Sequence, residues 1–219
     1  MNPVLSAEEI RVLGSLIEKQ ITTPDYYPMT LNALTNACNQ LSNREPVVAY
    51  DEQTVAQAFE SLSRKQIVWT IKRGDSRVVK HGHLFAEAFD LNPQQVAVMC
   101  VLMLRGPQTA GEIRGRTGRL YNFADLDEVE ATLQQLIDRE NGPLVARLPR
   151  QAGRKEPRYA HLLSGEVSVE EEVMPSRPEP VAASVDDDRV ARLEEEIAAL
   201  RQELRELAQQ FFDFKKQFE

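Results

Sequence analysis

The stretch that decides the fold reads VAQAFESL over residues 55–62, and a related stretch reads VEATLQQL over residues 129–136. Apolar residues occupy the first, fifth and eighth positions of both, which is the spacing of one helix face. A short apolar strand follows each helix, IVW at 67–69 and LVA at 144–146, and then a basic loop. This repeated order of helices followed by a hairpin predicts two winged-helix domains in tandem, an architecture typical of interaction proteins rather than enzymes.

Helix-capping residues extend this pattern outward from the repeat. Ser6 followed by Glu9 forms a capping-box signature, and Asn92 precedes a proline at the first helical position. We expect strands at 67–72 and 77–80 in the first copy, and at 144–148 and 158–162 in the second. The fold class is therefore mainly α with small β-hairpins (α+β). The expected helix N-caps are Ser6, Thr30, Asp51, Asn92, Thr109 and Asp125.

Composition divides the chain into four parts. We expect winged-helix domains at 1–90 and 91–164, an acidic, proline-containing flexible linker at 165–188, and a coiled-coil helix at 189–219. The formal net charge is −8. Most of it lies in the linker, whose low hydrophobicity and repeated acidic residues favour an extended chain. The two predicted domains are close to neutral, which argues against a general polyanion binder.

The C-terminal segment carries apolar residues at alternating steps of three and four, as in a coiled coil. β-Branched Val190 and Ile197 at a positions, with leucine at d, favour two strands. In a parallel pair Arg189 would face Glu194, a pair of opposite charge, so we predict a parallel homodimer. The predicted dimer seam consists of Val190, Leu193, Ile197, Leu200, Leu204, Leu207, Phe211, Phe214 and Phe218.

Three stretches of the sequence are distinctive: YPMTLNALTNACNQ at 27–40 with SNREPV at 42–47, LRGPQTAGE at 104–112, and GRKEPRY at 153–159. These stretches resemble the YceH family, a group of uncharacterised bacterial proteins. The resemblance covers roughly residues 4–165. It implies tandem winged-helix domains, and it implies no activity, substrate or catalytic residue.

Several features bear on the compartment. Cys38 and Cys100 lie in apolar helical surroundings without a C-x-x-C pair, so we expect two buried free thiols in a reducing compartment. The N-terminus has neither a basic nor an apolar signal region. The longest apolar run, residues 96–104, is about half of what spans a bilayer. We therefore expect a cytoplasmic protein without a membrane partner.

The predicted wings are basic enough to contact a nucleic-acid backbone or an acidic partner, although a solvated hairpin tip is an equal alternative. Arg114, Arg116 and Arg119 form a third basic cluster. The third helices, by contrast, carry carboxylates that would repel phosphates in a DNA groove. The candidate wing contacts are Lys72, Arg73, Arg77 and Lys80 in the first copy, and Arg147, Arg150, Arg154, Lys155 and Arg158 in the second.

The polar connector after the second helix is the other candidate surface, because loops rich in amides often recognise a partner. The alternative is structural, with Asn39 as a helix C-cap and Ser42 as a turn former. The candidate connector residues are Asn36, Asn39, Gln40, Asn43 and Arg44.

The sequence gives little support for a catalytic site or a metal site. His81 and His83 share a strand face, but the third histidine, His161, is remote in sequence, so we expect no metal site. No nucleophile–base–acid arrangement is visible, and we expect no cofactor. We therefore predict a non-enzymatic, dimeric interaction or regulatory scaffold with a protein partner. The alternative is a transcriptional regulator that contacts duplex DNA mainly through its wings.

Overall fold

The computed structural model of the 219-residue chain describes residues 2–72, 78–149 and 156–165. These residues are mainly helical, with two small antiparallel strand pairs, so the α+β class is confirmed. The predicted wing residues Arg73, Arg77, Arg150, Arg154 and Lys155 lie outside the described residues. So do residues 166–219, which include nearly all of the predicted linker and the entire predicted dimer seam.

The first copy contains three helices and a hairpin, and the second copy repeats this order. A short helix connects them. The elements of the first copy are α1 (Ala7–Thr22), a 3₁₀ turn (Pro24–Tyr26), α2 (Leu31–Cys38), α3 (Glu52–Arg64), β1 (Val68–Lys72) and β2 (Val79–His83). The connecting helix is α4 (Phe85–Phe89), and the second copy contains α5 (Pro93–Arg105), α6 (Ala110–Thr117), α7 (Leu126–Ile137), β3 (Val145–Arg147) and β4 (Tyr159–His161).

All six predicted N-caps are confirmed. In each case the side chain of the capping residue accepts a hydrogen bond from the backbone amide three positions later. This bond satisfies one of the orphan amides of the first helical turn. Ser6 forms the predicted reciprocal box with Glu9, and Asn92 and Thr109 form two further boxes with Gln95 and Glu112.

The two copies also share a third extended segment. Met29 exchanges backbone hydrogen bonds with His81 in β2 at 3.0 and 2.7 Å. Gln108 does the same with Tyr159 in β4, at 3.0 and 2.7 Å. Each bridging residue comes directly before the threonine that caps the second helix of its copy. The same connection is therefore built twice.

The second strand of the first hairpin lies later in the chain than the predicted range of 77–80. β2 continues to His83 because Gly82 pairs with Trp69, and His83 pairs with buried Val68. The other strands agree with the predicted ranges within two residues. Helix α4 is not predicted, because its five residues are too few to show a period; Phe85 and Phe89 bury its apolar side.

One hydrophobic cluster includes apolar residues of both copies. Helix α1 contacts α5 where Gly14 meets Leu104, and the Sγ atom of Cys100 lies 3.6 Å from the carbonyl oxygen of Gly14. Residues 1–168 form one compact unit. The boundary between residues 90 and 91 therefore divides the repeat, while the hydrophobic core continues across it.

Candidate functional site

The predicted connector surface is built on a closed loop. The side-chain amide of Asn39 donates to the carbonyl oxygen of Tyr50 at 2.7 Å, and the Tyr50 backbone amide donates back to Asn39 at 2.8 Å. Asn39 is also the C-cap of α2, as the structural alternative predicted. The loop between these residues, which we call the connector (residues 39–50), is therefore held at both ends.

Arg44 does not lie on the surface of the connector: its side chain is 0% exposed. Its guanidinium donates to both carboxylate oxygens of Glu18, at 3.1 and 2.7 Å. It also donates to the carbonyl oxygen of Ala37, at 3.2 and 2.9 Å. That carbonyl is in the last turn of α2, where no intrahelical donor is left for it. Arg44 thus joins the connector to α1 and α2 beneath the surface.

Arg11 has the same kind of role, although it is not among the predicted site residues. It is buried in α1 and donates to the carbonyl oxygens of Cys38 at 3.2 Å and Pro46 at 2.5 Å. Burial is the main cause of its lowered pKa, followed by the nearby charge of Arg44. The available sequence signal is an arginine inside the apolar stretch IRVLGSLI of residues 10–17.

Asn36 and Asn43 are the exposed residues of this predicted surface, and Asn36 lies in α2, outside the connector. Asn36 is exposed and donates to Asn32 at 3.3 Å. Asn43 is exposed, has a left-handed backbone (φ 60°) and accepts a hydrogen bond from Arg105. The backbone amide of Glu45 donates to the carbonyl oxygen of Leu104 at 2.8 Å. The connector of the first copy is therefore attached to the C-terminal end of α5.

A cleft of about 390 Å³ opens beside this attachment, and we call it the basic cleft. One side is formed by α1 and the connector, and the other by α5 and α6. Its polar lining includes two predicted connector residues and part of the third basic cluster. The charged and polar side chains are Glu18, Lys19, Thr22, Thr23, Gln40, Ser42, Asn43, Arg105, Arg116 and Arg119, and the apolar residues are Cys100, Val101, Leu104 and Leu120.

Cations are concentrated in the basic cleft. Burial lowers the pKa of Arg105, and the nearby charges of Arg116 and Arg44 lower it further. Lys19 lies 3.3 Å from a Glu18 oxygen and donates to the side-chain oxygen of Gln40 at 3.2 Å. The carboxylates of Glu18 and Glu45 act on the Arg105 pKa in the opposite direction.

The described wing residues lie at different depths. Lys72 and Arg147 are exposed at the ends of β1 and β3, and Lys80 is half-buried. Arg158 is also half-buried: it donates to the carbonyl oxygen of Pro107 at 3.1 Å and lies 3.7 Å from Glu112. Arg158 is therefore engaged within the second copy, whereas Lys72 and Arg147 are available on the surface.

The third helix of the second copy, α7, and its C-cap residue Asp138 expose an acidic stripe formed by Asp127, Glu130 and Asp138, with Gln134 among them. Their spacing of three, four and four residues places them on one side of the helix. The helix itself contains no lysine or arginine. In α3, exposed Glu60 forms an ion pair with Arg64 at 3.3 Å.

His83, Cys38 and Cys100 are buried, whereas His81 and His161 are half-buried. His83 accepts a hydrogen bond from the Phe85 amide at 3.2 Å, and burial lowers its pKa to about 4. Burial likewise lowers the pKa of His161 to about 4 and raises the pKa of both buried thiols, Cys38 and Cys100. Within the described ranges, no group of three His, Cys, Asp or Glu residues is arranged to hold a metal ion.

The fold and the site define an α+β protein with a duplicated helix–hairpin unit and a basic cleft between the copies. Residues 5–154 match the family described as "Protein of unknown function, DUF480", and the chain belongs to this family. The predicted family relationship is thereby confirmed.

Relatives occur in several bacteria. A "UPF0502 protein" of Solibacter usitatus is 57% identical over 194 residues, covering 89% of this chain and 91% of the relative. One of Opitutus terrae is 54% identical over 196 residues, covering 90% and 83%. One of Pelobacter propionicus is 51% identical over 221 residues and covers both chains completely. In the part of the chain that is described, no helix is long and apolar enough to cross a membrane.

Proposed function

We propose that this protein is a non-enzymatic, tandem winged-helix scaffold that regulates by binding a protein partner. The winged-helix assignment is supported by the order of the elements in each copy: helix, extended segment, helix, helix and hairpin. The Met29–His81 and Gln108–Tyr159 bridges supply the extended segment at equivalent positions. This arrangement resembles DNA-binding domains, in which the third helix enters the major groove.

The observation that carries the proposal is the acidic stripe of α7. A helix that exposes Asp127, Glu130 and Asp138 repels phosphates and offers no guanidinium to guanine. The same stripe attracts a protein with a basic patch, and charge complementarity of this kind speeds association and selects partners. We therefore place the partner-binding surface on α7, with a basic protein as its ligand.

The test is charge reversal on the stripe, with Glu130→Lys and Asp138→Lys combined. Neither residue belongs to the first turn of α7, so the favourable interaction of acids with the helix N-terminus is retained. Affinity capture from a bacterial lysate would identify candidates, and titration of the purified partner would measure binding. We expect the double variant to weaken binding at least tenfold, and added salt to weaken wild-type binding.

The matched control is Glu87→Lys with Glu156→Lys, which changes the net charge equally at exposed sites outside α7. Its affinity should remain close to that of the wild type. Equal losses in the two double variants would show that only net charge matters, and would remove α7 as the binding surface.

DNA binding through the wings is the second candidate. It is favoured by the described strand residues, which include Lys72, Lys80 and Arg147 but no acid. Backbone contacts of this kind are independent of sequence and strongly dependent on salt. A mobility shift on random duplex DNA that is present at low salt, lost at higher salt and reduced by Lys72→Gln with Arg147→Gln would favour this function over the first.

We also propose that the scaffold is a parallel homodimer through the predicted seam. The support is the heptad pattern from Val190 to Phe218 and the opposite charges of Arg189 and Glu194. Light scattering should report a dimer for the full chain at micromolar concentration, and a monomer for Leu200→Asp with Leu207→Asp. A monomeric wild-type chain would contradict the proposal.

A further inference from the structure

We propose that the basic cleft is a binding site for a small molecule that carries phosphate groups. This site is separate from the α7 surface and from the wings, so its existence does not depend on the proposed function. The argument begins with the cations that line it: Lys19 of the first copy, and Arg105, Arg116 and Arg119 of the second.

The carboxylates near these cations leave an excess of positive charge. Glu18 is shared between Lys19 and the buried Arg44. Glu112 lies 4.0 Å from Arg116 but only 3.7 Å from Arg158, which lies outside the cleft. Glu18 and Glu45 are both near enough to Arg105 to oppose the lowering of its pKa. Arg119 forms no ion pair with any residue that the structure describes.

Helix dipoles account for part of this positive charge, because Lys19, Arg105 and Arg116 lie in the last turns of α1, α5 and α6. Direct capping of helix carbonyls does not account for it. Several helices end at the cleft, and cations often bind the free carbonyls of a last helical turn. That role belongs to Arg11 and Arg44, which bind the carbonyls at the end of α2. Among the described residues, none of the four cleft cations donates to a backbone carbonyl; Lys19 and Arg105 donate instead to the side chains of Gln40 and Asn43.

The shape and chemistry of the cleft favour a small phosphorylated molecule. Its volume of about 390 Å³ is within the range of small-molecule sites, and its apolar wall residues can contact the rest of the ligand. Guanidinium groups match the geometry of phosphate oxygens, and a lysine adds a point charge. Gly115 and Gly118 also line the cleft and leave open space in front of their backbone, since a Cβ atom at either position would meet no other atom within 4 Å.

Such a ligand would connect the two copies. Lys19 belongs to α1, on one side of the cleft. Arg116 belongs to α6 and Arg119 comes just after it, on the other side, so one bound anion would contact both sides. A ligand that binds only the folded state raises the temperature of unfolding by mass action. The full chain should therefore be stabilised by a suitable anion.

Inorganic pyrophosphate is the probe, used with the full chain. We expect it to raise the midpoint of thermal unfolding above that in sodium chloride of equal ionic strength, and isothermal titration calorimetry should detect saturable binding. Arg116→Gln with Arg119→Gln should weaken this binding at least tenfold. The matched control, Arg64→Gln with Arg147→Gln, removes two positive charges outside the cleft and should bind pyrophosphate like the wild type.

Calorimetry measures binding directly, so the comparison stays valid if a variant changes the unfolding midpoint. The proposal is overturned if pyrophosphate acts no differently from chloride, or if the cleft and control variants bind it equally. It is also overturned if a short DNA duplex displaces pyrophosphate and loses its own affinity in the cleft variant, because the cleft would then bind a nucleic-acid backbone.

Discussion

At Gly82 the absence of a side chain lets the indole of Trp69 lie against the backbone of β2. A Cβ atom at this position would be only 2.4 Å from Cζ2 of the ring. The indole nitrogen also donates to the carbonyl oxygen of His83 at 3.1 Å. The hairpin of the first copy is thus held by one aromatic side chain whose place depends on one glycine.

We predict that Gly82→Ala destabilises the protein by about 1–3 kcal/mol, as overpacking does in other cores. Trp69 is the only tryptophan in the chain, so its emission should shift to longer wavelength in the folded variant. Urea unfolding followed by fluorescence measures both effects. The control is Gly115→Ala in α6, where an added methyl has open space and should stabilise by up to about 1 kcal/mol. Unchanged stability of Gly82→Ala would show that the indole can move without cost.

Two histidines with lowered pKa values make the stability depend on pH. The pKa values of His83 and His161 are about 4 in the folded protein and about 6.5 when the chain is unfolded. Between these values the unfolded state binds more protons, so the free energy of unfolding falls as the pH is lowered from about 6.5 to about 4. For His83 alone the loss by pH 4 is up to about 3 kcal/mol.

Urea unfolding at pH 7, 6 and 5 should reveal this loss, before most carboxylates take up protons. His83→Gln, which keeps a side-chain acceptor for the Phe85 amide, should reduce the slope between pH 7 and pH 5. An equally steep slope in this variant would assign the pH dependence to other groups.

At the scale of elements, a buried ion pair is one of the contacts that hold the connector in place. Arg44 links Glu18 of α1 to the last turn of α2, and the connector follows the course that this link allows. The outward-facing Asn43 and the attachment of Glu45 to α5 depend on that course. The sequence of the connector predicts a polar surface loop, but the buried charge of Arg44 helps to fix its course.

We predict that Arg44→Met costs about 3–5 kcal/mol, because Glu18 keeps its charge and loses its main partner. The double variant Arg44→Met with Glu18→Leu should recover a large part of that loss. Chemical denaturation of the wild type, of Arg44→Met and Glu18→Leu singly, and of the double variant gives the coupling between the two sites. The matched control is Arg64→Met, which breaks the exposed pair with Glu60 and should cost less than about 1 kcal/mol. Equal costs for Arg44→Met and Arg64→Met would contradict this account.

At the scale of the whole molecule, residues near the N-terminus contact the end of the second copy. The backbone amide of Leu5 donates to the carbonyl oxygen of Leu163 at 2.7 Å, and Asn2 lies 3.3 Å from the carbonyl oxygen of Pro143. Arg139 of the second copy donates to the carbonyl oxygens of Phe89 and Asp90. These contacts and the α1–α5 packing connect the copies at several points.

We predict that the fragment of residues 1–165 folds without the rest of the chain and unfolds in a single transition. Calorimetry should give equal calorimetric and van't Hoff enthalpies. The fragment of residues 1–90 should lack a cooperative transition, because the side of α1 that packs on Leu104 would be exposed to water. Two separate transitions in the longer fragment would mean that the copies are energetically independent.

Local interactions made much of the fold predictable from the sequence. An N-cap and its amide are three residues apart, and a helix face repeats within four, so the six caps and the repeated helices follow from neighbouring residues. The short strands followed from apolar runs, with errors of a few residues where pairing across the hairpin decides the end, as at His83.

Only the tertiary structure decided which charged residues are buried and which lie together. Arg44 meets Glu18 across 26 positions, and Asn43 meets Arg105 across 62. The basic cleft unites Gln40 and Asn43 of the predicted connector surface with Arg116 and Arg119 of a separately predicted cluster. The physical reason is that such pairs form where packed helices bring distant positions together, and no local pattern records the packing of α1 on α5.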